Sequence, residues 1–174
     1  IIPRGIATVH YVNTANSSEV KQEAERTISL LKVSFALCAI ALLAIYLVPQ
    51  QVYTFVFGPG FSTVKHSMRY LFPGILVYSI WIVLSSFYFG IGKYKQLLVS
   101  NLAGVAAIVL FSSVLIPPYV MSGAGLAATL SFAVAALLLL LLFLADNKIA
   151  LSKLTYSAND WNRAVESLKR IVIK

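Results

Sequence analysis

LIPPYVMSGAGLAATLSF, residues 115–132, sets two adjacent prolines and two spaced glycines between two long apolar runs. Residues 97–116 lie before it and 124–145 after it, and neither run holds a charged side chain. About 20 apolar residues are what a helix rising 1.5 Å per residue needs to cross roughly 30 Å of hydrocarbon. The pair therefore reads as two membrane spans joined by a hairpin. Pro117 and Pro118 are expected to stop the first helix, and Gly123 and Gly125 to relax the backbone where the chain reverses.

Composition agrees with that reading. Of the 174 residues 59% are hydrophobic and 11% charged, with a mean hydropathy of +0.84, whereas soluble domains carry about 25% charged residues. The six acidic residues, Glu19, Glu23, Glu25, Asp146, Asp160 and Glu166, leave residues 26–145 without a carboxylate. The lone Cys38 sits inside an apolar run, so no disulfide framework exists, and the thiol reads as a small core or lipid-facing group.

Read in order, residues 1–29 begin with IIPRGIATVHYVN, the expected end of a span begun further upstream in a longer chain. A surface helix follows, with Asn16 and Glu19 at capping-box spacing. Val20, Ala24, Ile28 and Leu31 recur at helical intervals and lead straight into a first full span over 30–48. Gly58, Pro59 and Gly60 force a turn, and Ser62 is placed to cap a short helix ending near Arg69. The second span covers 70–90, with Pro73 and Gly74 near its start, where proline costs a helix least. Lys93 and Lys95 flank the connection to the spans at 97–116 and 124–145. The tail, 146–174, puts Trp161, Val165, Leu168 and Val172 on one stripe among basic residues, an amphipathic cytoplasmic segment.

Four spans within 30–145 make an all-α, polytopic membrane protein. Twelve of its 14 basic residues lie at the two ends or in the 93–95 connection, and only Lys65 and Arg69 lie on the other side. The positive-inside rule then puts both termini in the cytoplasm and the 115–132 turn outside. The net charge of +8 reads as orientation and attraction to anionic lipid, with no basic and aromatic interleaving to suggest nucleic acid. Small residues form packing faces, namely Ser100, Ala103, Gly104 and Ala107 on the third span and Ala124, Ala127, Ala128, Ser131 and Ala135 on the fourth. Asn101 and the Ser85–Ser86 pair read either as bonds across helices or as the lining of a wet cavity.

FVFGPGF at 55–61, YLFPG at 70–74, IGKYKQLLVSN at 91–101 and the 115–132 turn together resemble the C-terminal lobe of polysaccharide-type flippases. These belong to the multidrug, oligosaccharidyl-lipid and polysaccharide exporter superfamily. The resemblance runs over about 1–144, and its motifs consist of glycines, prolines and apolar residues. It implies one flank of a two-lobe exporter whose N-terminal lobe lies upstream. It also implies a substrate of polyprenyl-diphosphate-linked oligosaccharide, a place in the cell membrane among its lipids, and neither cofactor nor metal. The substrate-binding candidates are then Lys65, Arg69, Lys93, Lys95 and Asn101. The four basic residues suit phosphate oxygens; read without the resemblance, they flank spans and snorkel to headgroups.

Other functions leave weaker traces. An enzyme needs clustered acids, bases or metal ligands at a membrane face, and no such set is visible. His66 reads as a loop residue, His10 as a capped or exposed one, and GPG as a turn lacking the lysine of a phosphate loop. A multidrug exporter of the same superfamily, often carrying an intramembrane acid, and a small non-catalytic membrane scaffold are the alternatives.

Overall fold

The computed structural model describes residues 2–15, 20–58 and 64–149. Its elements are α1 (Ile2–Ala15), α2 (Val20–Leu47), α3 (Gln50–Phe57) and α4 (Val64–Gly90). A helical run over 94–147 follows, broken at Val120 (φ 47°, ψ −113°) into α5 (Tyr94–Val120) and α6 (Ser122–Asn147). No strand occurs among the described residues. Four of the helices are long and apolar enough to cross a membrane: α2, α4 from Met68, α5 and α6.

The ends of these helices follow local chemistry. Pro49 lies just beyond α2. Gly58 closes α3 in a conformation with φ 93°, its N–H bonded to the Thr54 carbonyl at 2.9 Å, and Gly92 (φ 73°) makes the tight link from α4 to α5. Both positions need a positive φ that glycine adopts without steric cost.

Side-chain pairs fix the directions. Ser100 Oγ donates to the Ala135 carbonyl at 2.9 Å and Ser131 Oγ to that of Gly104 at 2.8 Å, so α5 and α6 are antiparallel neighbours. Thr129 meets Tyr70, Phe132 meets Tyr78 and Phe143 meets Phe87, which makes α6 parallel to α4. Tyr46 stands edge-on to Phe72 with ring centroids 6.1 Å apart, placing the end of α2 at the start of α4. Thr14 abuts Gly90, so α1 ends where α4 ends. α4 packs on α1, α2 and the α5–α6 hairpin and is the hub of the bundle. Val83, Leu84, Phe87 and Tyr88 of α4 are fully buried, with Ala24, Ile28 and Leu31 of α2 and Leu139 and Phe143 of α6 in the same core.

Between helices whose other faces are equally apolar, close approach and hydrogen bonds decide the packing. A methyl on Gly104 would lie 3.1 Å from the Ala135 Cβ, and one on Gly74 would lie 2.6 Å from Thr129 Oγ1. The small-residue faces expected on the third and fourth spans therefore do meet. Trp81 Nε1 donates to Ser100 Oγ (2.9 Å), which in turn donates to the Ala135 carbonyl, so one relay ties α4, α5 and α6. Ser100, not Asn101, makes the bond across helices.

Two expectations about breaks are corrected. The segment before Tyr70 is not a separate short helix, because α4 runs unbroken from Val64 and holds Pro73 in its interior. Likewise Pro117 and Pro118 do not stop α5, which continues to Val120. A proline removes one intrahelical bond and displaces the carbonyl four residues back, and helices in membranes absorb this where a neighbour repairs the loss. One turn before Pro73, the Thr129 hydroxyl donates to the Tyr70 carbonyl at 2.6 Å and ties that part of α4 to α6. The helix of 20–47 is continuous, as expected, and Cys38 is buried in it. The capping pair Asn16–Glu19, the Ser62 cap and the tail stripe from Trp161 to Val172 lie outside the described residues.

Candidate functional site: a polar groove between α1 and α4

α1 and α4 run parallel and leave between them an open groove of about 450 Å³. Arg4 and Thr8 line it from α1, and Tyr78, Trp81, Ser85 and Ser86 from α4. Residues 78, 81, 82, 85 and 86 share one face of α4 by helical spacing, as do 4, 7, 8 and 11 on α1. Arg4 precedes Thr14 by ten residues, which is about 15 Å along a helix axis. With Thr14 at Gly90, the backbone of Arg4 stands near the middle of α4.

The walls differ in chemistry. Tyr78 and Trp81 stack with ring centroids 5.6 Å apart and planes 6° from parallel. Phe132 of α6 backs Tyr78 at 4.8 Å. The hydroxyls of Thr8, Ser85 and Ser86 donate within their own helices, to the carbonyls of Arg4 (3.0 Å), Ile82 (2.8 Å) and Val83 (2.7 Å). Ser85 and Ser86 thus line a cavity rather than bond across helices. The groove has one charge, on Arg4, and no carboxylate lines it.

A second polar cluster joins α1 to α2. His10, Thr14, Glu23 and Thr27 are each at most 3% exposed. His10 Nε2 lies 2.9 Å from Thr27 Oγ1 and Nδ1 lies 3.5 Å from Thr14 Oγ1. Arg26 pairs with Glu23 Oε1 at 2.6 Å, and Glu23 Oε2 has no hydrogen-bond partner among the described residues. His10 is therefore neither a capping nor an exposed residue, but the buried hub of the α1–α2 contact.

The residues singled out from sequence do not converge. Lys93 Nζ (3.2 Å), Gln96 Nε2 (3.3 Å) and Tyr88 OH (3.4 Å) all reach Asp146 Oδ2, so Lys93 helps to clamp the ends of α4, α5 and α6 together. Lys95 is exposed beside it. Arg69 lies at the opposite end of the bundle, bonded to Tyr46 OH at 3.2 Å, and Lys65 falls in the first turn of α4. Asn101 is exposed on α5. Arg4, assigned by charge counting to the inner end of the chain, stands instead beside the middle of α4. What sequence offered for the groove was the Ser85–Ser86 pair, with Trp81 one turn away on the same face.

No group of metal-binding side chains occurs among the described residues. Comparison with protein-family models, curated proteins and solved structures finds no match for the chain.

Proposed function

We propose that this chain is one flank of a membrane transporter that flips polyprenyl-diphosphate-linked oligosaccharides across the cell membrane for polysaccharide export. The groove carries the reading. A charged side chain at the depth of Arg4 costs at least about 2.5 kcal/mol against lipid and is kept where it lines a wet path or meets a partner. Its setting among hydroxyls and stacked rings supports a passage for a polar headgroup. The open side of the groove lets a lipid tail stay in the hydrocarbon, and the N-terminal lobe that the resemblance implies would supply the facing wall.

Alternation between two packings is the motion such a path needs. The direction follows from charge. With the 91–93 end in the cytoplasm, a diphosphate moving outward under an inside-negative potential is driven by about 2.3 kcal/mol per charge per 100 mV. The test is transfer of a fluorescent polyprenyl-diphosphate sugar between the leaflets of vesicles holding the complete protein, with and without an imposed potential. Transfer above that of protein-free vesicles, faster with the potential, is expected. A rate equal to the protein-free rate sinks the proposal.

A further inference from the structure

We infer that one face of α5 is an interface between two copies of this chain, with Asn101 of each copy hydrogen-bonded to Asn101 of the other inside the membrane. The inference rests on α5 alone and goes beyond the transport reading, which the α1–α4 groove carries.

The face is what remains after α5 has packed within its own chain. Leu97, Ser100, Gly104 and Ala107 form its buried stripe, with Ser100 and Gly104 bonded across to α6. One residue further on, Leu98, Asn101, Val105, Ile108 and Ser112 form a second stripe, turned about 100° from the first. Their spacing of three and four residues is that of the seam in a left-handed helix pair. Leu98 and Val105 are each 60% exposed, and Asn101 is exposed between them. Of the four candidate spans, α5 is the least buried.

Apolar exposure by itself is satisfied by lipid, whereas Asn101 is not. It lies four residues inside the uncharged run 97–116, about 6 Å along the helix axis, and its short side chain does not span that distance to the headgroups. The amide offers two donors and a carbonyl acceptor. Among the described residues it has no partner, and it does not line the α1–α4 groove. In hydrocarbon such a group costs free energy until another polar group bonds it.

Symmetry identifies that group. A two-fold axis along the membrane normal sets each exposed residue of α5 opposite its own counterpart at equal depth. An amide is donor and acceptor at once, so an Asn101 pair completes itself. A different helix would need a polar side chain of its own at that same depth. One asparagine in an apolar seam also fixes the register of the pair.

The experiment uses the complete protein with Cys38→Ala and one new cysteine, oxidised in native membranes with copper phenanthroline. Val105→Cys, on the seam, is expected to form a disulfide-linked dimer. Leu110→Cys, 65% exposed on the far side of α5, is expected to cross-link far less. Energy transfer between donor-labelled and acceptor-labelled copies in proteoliposomes gives the second measurement. Asn101→Leu keeps the size without the amide and should raise the apparent dissociation constant about tenfold, while Asn101→Gln, which keeps the amide, should stay within about threefold of the parent. Absence of a dimer at Val105→Cys, equal cross-linking at the two cysteines, or an Asn101→Leu protein that associates like the parent overturns the inference. A cross-link from Val105→Cys to a different protein overturns it as well, since the face then belongs to another helix. A chain that dimerises without moving a lipid-linked sugar removes the transport reading and leaves the interface standing; one that transports as a monomer does the reverse.

Discussion

Thr27 has one hydroxyl hydrogen and gives it to the Glu23 carbonyl at 2.6 Å, so His10 Nε2 meets a lone pair. The ring must then carry its hydrogen on Nε2. Thr14 likewise donates to the His10 carbonyl at 2.9 Å. Removing the Thr27 hydroxyl while keeping its shape leaves a buried N–H without an acceptor, which costs about 1–3 kcal/mol. Thermal unfolding in detergent is therefore expected to give Thr27→Val a clearly lower Tm than the parent, with Thr27→Ser close to the parent; equal values for the two variants would refute the contact. None of this was legible in sequence. His10 and Thr27 lie 17 positions apart across a connection, and a lone histidine in a mixed helix shows nothing of what it faces. Glu23 is similar: counting carboxylates found the empty stretch 26–145, but not that Glu23, three positions before it, is buried.

Helices and their partners were the readable part, because 20-residue apolar runs and small residues three or four apart are local patterns. Ser100 and Gly104, or Ser131 and Ala135, can be read from their spacing as a face that packs; which residues meet across α5 and α6 follows from the position of the turn. The break itself was misplaced by two residues. Pro117 and Pro118 only weaken α5, and the reversal falls at Val120, a β-branched residue at φ 47°, where side-chain sterics oppose the conformation. A methyl on Gly123 would overlap the Leu115 carbonyl. Gly123→Ala should thus pry the hairpin apart, lowering Tm more than Gly5→Ala, where the added methyl meets nothing within 4 Å; the same melting assay checks the order. α3 gives a second prediction at this scale. Gln50, Gln51 and Thr54 occupy one arc of it, and Val52, Phe55 and Val56 the opposite arc, with Phe55 91% exposed. Since α3 joins two spans, that apolar arc belongs in the membrane interface. In a background without the native tryptophans, Phe55→Trp should emit at blue-shifted wavelengths and be quenched by brominated lipid. Water-like emission without quenching would remove α3 from the bilayer.

The bundle as a whole has two chemically different ends, and the positive-inside rule turns that difference into a testable orientation. At one end the Asp146 clamp gathers Lys93, Gln96 and Tyr88, with Lys95 exposed beside it. At the other, the described side chains include a single cation, Arg69, held by Tyr46, and the apolar turn at Tyr119 and Val120. The clamp costs little to maintain: Lys93 and Asp146 keep side-chain exposures of 50% and 28%, so the pair contributes at most about 1 kcal/mol. By the positive-inside rule, the end that carries Lys93 and Lys95 is expected in the cytoplasm. A labelling experiment reads the outcome. With the lone Cys38 replaced by alanine, Tyr119→Cys should react with an impermeant maleimide added to intact cells, and Lys95→Cys only after permeabilisation. Both positions are exposed on the bundle, so reactivity reports side rather than burial. The opposite pattern would place the 91–93 end outside. The membrane potential would then oppose the outward passage of a diphosphate along the Arg4 groove, and some other source of free energy would have to drive it.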